Sequence, residues 1–261
     1  MDDVDGQVDI DLWERHAGWW QDGFTEGADP EYRDQIVPLV VDLLGGCERV
    51  VDVGTGEGQL ARVLAAEGVD VVGVDPTAAQ LSVAIARGGG PSYLEGHADD
   101  LPVDDAGFDG ALACLVFEHI TAMDAAVAEI ARVLAPGGRF VLMLNHPVIQ
   151  VPGSDWVEDH TVEPVERYWR LGPYLVESHT VETVDVDVEI PFVHRPLGRY
   201  LNALVDAGLR IERLLEPAPP ESWIERAPEV REHLRAYPRL AVIVASRDDH
   251  DEETGTREEH L

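Results

Sequence analysis

The 261-residue sequence contains no lysine, and its 19 arginines are set against 51 aspartates and glutamates, which gives a formal net charge of −32. A protein that neutralises nucleic-acid phosphates needs a basic surface, and one held on anionic lipid needs a polybasic patch. Neither is present, so we expect no nucleic-acid partner and no stable membrane anchor. The acidity itself has two explanations: ordinary solubility, with arginine usage set by a GC-rich genome, or adaptation to high salt.

Cysteines and long apolar runs are also scarce. Cys47 and Cys114 stand alone in apolar contexts, which predicts small core residues rather than a disulfide. No apolar run approaches the roughly 20 residues of a membrane span. The acidic N-terminus lacks the positive region of a signal peptide. We therefore expect a cytoplasmic protein, monomeric or homodimeric, and the 45% hydrophobic content is high enough for a folded domain.

Short apolar runs alternate with helical patterns over much of the chain. Strands are predicted at 49–53, 71–74, 108–115 and 140–144, with amphipathic helices between them. Such alternation is typical of a parallel sheet covered by helices on both faces.

The alternation also suggests a division of the chain. We predict an N-terminal helical segment at 1–45 that closes the ligand cleft, and a core formed by 46–147 and 195–247. Residues 148–194 break the rhythm and are predicted to form an antiparallel lid insertion that contacts the substrate. Residues 248–261 are acidic with few apolar side chains, so we predict a disordered tail.

The strongest local signal is a buried strand that runs directly into a glycine-rich turn. Gly54 and Gly56 allow a tight turn and close approach of a ligand, and a helix begins at once. The spacing is G-x-G-x-G, with Gln59 where a dinucleotide site prefers its third glycine, and without lysine there is no P-loop. Asp75 ends the next strand, at the usual distance for binding ribose hydroxyls. This combination favours an adenosine-bearing ligand without a pyrophosphate.

Five segments in this order resemble the class I S-adenosylmethionine-dependent methyltransferases, specifically their small-molecule type 11 group. They are VVDVGTGEG (50–58), VVGVDPTAAQL (71–81), GHADDLP (96–102), LVFEHI (115–120) and LAPGGRF (134–140). The resemblance implies an α/β fold, namely a Rossmann-like seven-stranded, mostly parallel sheet sandwiched by helices, here with the antiparallel lid insertion.

The same resemblance implies S-adenosyl-L-methionine as the cofactor, and it assigns candidate residues to its site. The candidates in the five segments are Asp52, Gly54, Thr55, Gly56, Asp75, Pro76, Ala98, Asp99 and Leu115. A looser match of the N-terminal segment adds Trp20 and Thr25. The family usually has aspartate where His97 stands, so either Asp99 or His97 itself takes over the adenine amino group.

Two histidines follow strands and are candidate catalytic residues. His119 follows the fourth strand and His146 the fifth, and the ordinary pKa of histidine suits proton transfer. The alternatives are that His119 packs against or caps the next helix and that His146 is a turn residue.

The insertion and the helix after it supply candidate substrate residues, namely Tyr168, Trp169, Tyr174 and Arg199. The aromatic side chains could line a pocket, and arginines in this region either bind an anionic group or pair with acids. The acids are scattered, so we predict no metal site.

The sequence thus predicts an enzyme that transfers a methyl group from S-adenosylmethionine to a small-molecule or lipid-like acceptor by in-line displacement. Because the sulfonium is already activated, the protein mainly positions the acceptor. A non-catalytic S-adenosylmethionine-binding module is the alternative. A nicotinamide-dependent oxidoreductase is disfavoured by Gln59.

Overall fold

A computed structural model describes residues 2–226 and 234–248, with side chains from residue 9 onward. Its helices are α1 (Asp2–Phe24), α2 (Val37–Leu44, preceded by a π-helical turn at Tyr32–Ile36), α3 (Gln59–Ala66), α4 (Ala78–Arg87), α5 (Met123–Val133), α6 (Leu197–Asp206) and α7 (Glu221–Ile224). Its strands are β1 (Arg49–Val53), β2 (Asp70–Asp75), β3 (Ser92–Glu95), β4 (Phe108–Cys114), β5 (Leu134–Asn145), β6 (Asp155–Asp159), β7 (Glu166–Arg170), β8 (Ser178–Asp185), β9 (Val188–His194), β10 (Leu209–Leu215) and β11 (Leu240–Arg247).

The main sheet has seven strands in the order β10-β11-β5-β4-β1-β2-β3. Only β11 runs antiparallel to its neighbours, and the other pairings are parallel. The central strands Arg49–Val53 and Phe108–Cys114 are buried over most of their length on both faces, where helices cover their mainly apolar residues. The predicted seven-stranded, mostly parallel fold is therefore confirmed.

Two apolar layers hold helices against the sheet. On one face, Val127 and Ile130 of α5 and Leu204 of α6 pack with the outward side chains of β4 and β5. On the other face, Val40 of α2 and Leu64 of α3 pack against the opposite side chains of the same strands. Apolar residues three or four positions apart give each helix a single buried stripe.

The insertion forms two separate antiparallel hairpins rather than one sheet. Strand β6 pairs with β7, and β8 pairs with β9. Apolar and acidic residues alternate over 184–190, and this pattern predicts one continuous strand. In the structure, a turn with Asp187 at φ +59° divides them between the end of β8 and the start of β9. Val188 and Ile190 are consequently buried, whereas Val186 is exposed.

The C-terminal region differs in part from expectation. The sequence pattern over 222–236 predicts a helix, whereas the structure has only the short α7 there, and residues 227–233 lie outside the described residues. Of the predicted tail, Asp248 is described and 249–261 lie outside. Within the described part of the chain, no helix combines the length and apolar character needed to cross a bilayer.

Phe140 on β5 tests the packing of the core, since its side chain is fully buried and its ring lies 6.3 Å from that of Phe117. We expect Phe140→Ala to lower the free energy of unfolding by about 3–5 kcal/mol, because it removes apolar contacts and leaves a cavity. Urea denaturation measures the loss. Ile85→Ala, at a side chain 64% exposed, is the control and should cost less than about 0.5 kcal/mol. Equal losses in the two variants would contradict this packing.

Candidate active site

A cavity of about 470 Å³ opens at the carboxyl ends of β1, β2 and β4. The chain leaves β1 toward β2 on one side, while β4 lies on the other side, so the cavity sits where the order of strands reverses. Ligands of open α/β sheets bind at this position. The volume falls within the roughly 300–1,000 Å³ typical of small-molecule sites.

The glycine-rich turn forms one wall of the cavity. The amides of Gly54 and Thr55 both donate to the carbonyl of Val74, which ties the turn to β2. Gly54 has a φ of +71°, and a Cβ there would collide with the side chain of Val116. Gly56, at φ +56°, faces open space, so its missing side chain leaves room for a ligand.

Asp75 is buried at the end of β2 and is held by three donors. One carboxylate oxygen accepts the N–H of Gly56 at 2.8 Å, and the other accepts the N–H of Thr77 at 2.9 Å and its hydroxyl. Burial raises the pKa of Asp75, and these hydrogen bonds oppose that rise. The carboxylate is therefore fixed in the cavity wall, beside the glycine-rich turn.

Two further buried carboxyl groups line the cavity close to the turn. Asp52 accepts the hydroxyl of Thr55 at 2.7 Å, and burial raises its pKa to about 7. Glu57 pairs through Oε2 with Arg62 and Arg87, while its Oε1 is buried without a hydrogen-bond partner among the described residues. Buried acceptors without donors are costly, so both groups suit a ligand that brings N–H or O–H groups.

The charged side chains among the described residues of the cavity lining are acidic. Among its described lining residues there is no arginine, and the chain has no lysine. The acidic members of the lining are Asp9, Asp52, Glu57, Asp75 and Asp99. A wall of this composition disfavours phosphate-rich ligands and favours a cationic one.

All eleven residues predicted to bind the cofactor line this cavity. They are Trp20, Thr25, Asp52, Gly54, Thr55, Gly56, Asp75, Pro76, Ala98, Asp99 and Leu115. His97 also lines it, and both His97 and Asp99 are exposed, so either side chain can reach a ligand there.

His119 lines the cavity and has a defined tautomer. Its Nδ1 lies 2.6 Å from the carbonyl oxygen of Pro191, so Nδ1 carries the hydrogen and Nε2 keeps its lone pair. The rings of Trp13 and Phe192 flank the imidazole, each at 4.8 Å between centroids. Burial lowers the pKa of His119 to about 4, so the ring is neutral at pH 7.

His146 does not line the cavity. Its Nδ1 accepts the N–H of Val148 at 3.2 Å, and Nε2 donates to Glu216 at 2.8 Å. One ring nitrogen thus contacts the turn after β5 and the other contacts the C-terminal region. These contacts are those expected of the alternative, a turn residue, and a catalytic role for His146 stays a prediction that no contact with the cavity supports.

The four predicted substrate residues also lie outside the cavity lining. Tyr168 is exposed on β7, and the indole of Trp169 donates to the carbonyl of Val148. The hydroxyl of Tyr174 accepts the N–H of Leu197. Arg199 forms a salt bridge with Asp124 at 2.7 Å, which corresponds to the alternative that arginines in this region pair with acids. A substrate role for these residues stays a prediction that no contact with the cavity supports.

Helix α1 contributes residues to the cavity that are not among the candidates assigned to the cofactor site. Asp9 and Trp13, four residues apart and so on one face of α1, both line the cavity. Asp9 accepts from His179 of β8 at 3.0 Å, and Glu14 accepts the N–H of Ala79 at the start of α4. In the sequence, Trp13 belongs to a group of aromatic residues at 13–32 interleaved with acids, which indicates packing on the main domain or, in addition, closure of one side of a ligand cleft. No sequence signal indicated Asp9.

In the described ranges, no group of three or more His, Cys, Asp or Glu side chains is arranged to hold a metal ion. Cys47 and Cys114 are both free, and Cys114 lies in the cavity wall.

Comparison with known proteins identifies the domain around this cavity. Residues 51–142 match a family model described as a methyltransferase domain. An uncharacterized methyltransferase of Mycobacterium bovis is 37% identical over 125 residues, which are 47% of this chain and 51% of that protein. A demethylmenaquinone methyltransferase of Thermus thermophilus is 37% identical over 123 residues, 45% of this chain and 55% of that protein. The chain thus spans about half the length of the curated relatives it matches.

Among solved structures, an S-adenosylmethionine-dependent methyltransferase from Mesorhizobium loti superimposes with a TM-score of 0.68. It is 29% identical in sequence, and the match covers 81% of this chain and 96% of that chain. The structural match therefore covers more of the chain than residues 51–142.

Asp52 makes stability depend on pH in a predictable direction. Its folded pKa of about 7 is raised above the unfolded value, so the carboxyl destabilises the fold above pH 7 and ceases to do so as it protonates at lower pH. We expect ligand-free Asp52→Asn to unfold at a higher temperature than the parent protein at pH 8, with a gap that shrinks toward pH 5. The exposed Asp42→Asn should show no such trend. A gap that is constant with pH would show that Asp52 is ionised throughout.

Proposed function

We propose that this chain, whose residues 51–142 belong to the class I S-adenosylmethionine-dependent methyltransferases of the type 11 group, transfers a methyl group from S-adenosylmethionine to a small-molecule acceptor. The observation that carries the proposal is the cavity at the point of strand reversal, with Asp75 bound to the amide of Gly56 and no arginine among its described lining residues.

The cavity residues fit this cofactor. Asp75 offers carboxylate oxygens to ribose hydroxyls, and the space above Gly56 admits a ligand against the backbone. Asp52 and the unpartnered Oε1 of Glu57 are acceptors for an ammonium group. A nicotinamide dinucleotide fits less well, because its pyrophosphate would meet carboxylates without a cation from the wall.

S-adenosylmethionine supplies a methyl group on a sulfonium that leaves as a neutral thioether. The chain supplies orientation, exclusion of water and a group that can accept a proton. We infer that an acceptor with an O–H or N–H group lies against Trp13 and His119, and that Nε2 of His119 takes its proton. The low pKa makes His119 a weak base that is unprotonated at neutral pH.

We also propose a division of labour along the chain. Residues 1–45 close the cofactor cleft, an idea supported by the four contacts of Gln21, Thr25 and Glu26 with α4. Residues 46–147 and 195–247 form the methyltransferase core. Residues 148–194 cover the acceptor side, which is supported by the packing of β9 on α1 and on His119.

The nature of the acceptor is a finer proposal. One relative is named as acting on demethylmenaquinone, a neutral small molecule. The acidic wall and the flanking aromatic rings of Trp13 and Phe192 favour a neutral or cationic acceptor with an apolar part over an anionic one.

Cofactor binding is tested by calorimetry with S-adenosylmethionine, S-adenosylhomocysteine and NAD⁺. We expect both adenosyl compounds to bind and NAD⁺ not to bind. Asp75→Asn should weaken binding about 10-fold or more, because the charge-assisted hydrogen bonds to the ribose are lost. Asp70→Asn, at the opposite end of β2 and 69% exposed, is the matched control and should bind as the parent does. Binding of NAD⁺ alone would overturn the proposal.

Turnover is tested with a methyl-labelled donor and a metabolite extract, which separates an enzyme from a non-catalytic binding module. With a labelled product in hand, we expect His119→Gln to lower the rate about 10²-fold or more, with unchanged affinity for S-adenosylhomocysteine. The parent rate should not fall between pH 8 and pH 5.5 through His119, since this ring protonates only near pH 4. An unaltered rate in His119→Gln would remove its role as the base.

A further inference from the structure

Residues 117–121 carry His119 into the cavity without belonging to a helix or strand. The segment follows Leu115, whose φ of +55° is uncommon for a residue with a side chain. A conformation of this kind costs free energy and persists only where surrounding contacts impose it. The carbonyls of such a segment also need donors from elsewhere in the chain.

Arg195 supplies those donors. Its side chain is 4% exposed, and its Nη1 donates to the carbonyl of Phe117 at 3.1 Å. Its Nη2 donates to the carbonyls of Ile120 and Thr121 at 2.7 and 3.0 Å. One planar guanidinium thus binds three carbonyls that bracket His119, which a lysine ammonium on a flexible stem could not match.

Strand β9, which ends just before Arg195, also forms hydrogen bonds with this segment. The N–H of Val193 donates to the carbonyl of Glu118 at 2.7 Å. The carbonyl of Pro191 accepts from Nδ1 of His119 at 2.6 Å. The backbone of β9 and the side chain of Arg195 therefore determine both where His119 stands and which of its nitrogens is free.

The environment of Arg195 does not suggest a simple ion pair. Arg195 pairs with Glu177, with 3.8 Å between Nε and Oε2, and that carboxylate is 48% exposed. The three carbonyl contacts are shorter and lie in the buried interior. Burying a cation whose closest partners are carbonyl groups costs desolvation free energy. This cost indicates that the geometry that Arg195 imposes on residues 117–121 is needed.

We propose that Arg195 is a positioning residue for methyl transfer, because it clamps residues 117–121 and so holds His119 with Nε2 toward the acceptor. The catalytic consequence rests on the proposed function. The clamp itself, and its control of the His119 tautomer, can be measured without any acceptor.

The test is long-range nitrogen–proton NMR of protein labelled with ¹⁵N-histidine, at pH 7.5, with the His119 signals identified by their loss in His119→Gln. We expect the parent protein to show a single Nδ1–H tautomer at His119. Arg195→Lys and Arg195→Met should show mixed tautomers or a moved Nε2 shift. Arg210→Met, which removes an arginine of β10 whose side chain is 66% exposed, should match the parent.

The affinity for S-adenosylhomocysteine, measured on the same samples, separates positioning from general damage. We expect the Arg195 variants to bind within about 3-fold of the parent while kcat falls about 10-fold or more. In a His119→Gln background the effect of Arg195→Lys on kcat should disappear. If Arg195→Met does not fold, Arg195→Lys decides.

An unchanged His119 signature in a folded Arg195 variant overturns the proposal. A loss of S-adenosylhomocysteine binding equal to the loss of kcat also overturns it, since that result indicates a merely structural role. Failure of the parent protein to bind S-adenosylhomocysteine would instead contradict the proposed function, while the tautomer comparison would still test the clamp.

Discussion

The hydrogen bond from the amide of Gly56 to the carboxylate of Asp75 is the contact on which the site depends. It joins the turn after β1 to the end of β2, so two neighbouring strands present one continuous wall. The turn can reach Asp75 only because Gly54 and Gly56 adopt positive φ values. The buried carboxylate in turn needs those backbone donors, since only 6% of the residue is exposed to water. Sheet, turn and cavity are therefore parts of one arrangement.

Burial of acids governs the chemistry around this contact. Asp52 and Glu118 both have pKa values raised to about 7 by burial, and in the part of the chain that the structure describes neither forms a salt bridge. Asp52 lines the cavity, whereas Glu118 accepts from the backbone and side-chain amide of Asn145. The excess of acidic residues in the whole chain is thus also found in the cavity lining, where negative charge favours a cationic ligand. Elsewhere, arginines such as Arg132 and Arg239 pair with acids and keep the excess charge tolerable.

The sheet and much of the cavity lining could be predicted because the sequence signals for them are local. Strand runs, helix periodicity and the glycine-rich turn each occupy a few consecutive residues, and the carboxyl ends of parallel strands must meet at one edge. His146 could not be assigned this way, because its partner Glu216 lies 70 residues away in sequence. From the sequence, Arg195 is one of the arginines that either bind an anionic group or pair with acids. Its carbonyl contacts become visible only in the packing of β9 on residues 117–121. Roles that depend on contacts between distant segments leave no periodic trace in a sequence.

We propose that the cavity binds the sulfonium cofactor with its ribose on Asp75 and its methyl end toward His119. A crystal structure with S-adenosylhomocysteine is the decisive measurement. We expect the ribose hydroxyls within hydrogen-bond distance of the Asp75 carboxylate, the amino group near Asp52 or Glu57, and the sulfur facing the wall formed by Trp13 and His119. A ligand bound in another cavity, or lying in this one with its ribose away from Asp75, would contradict it.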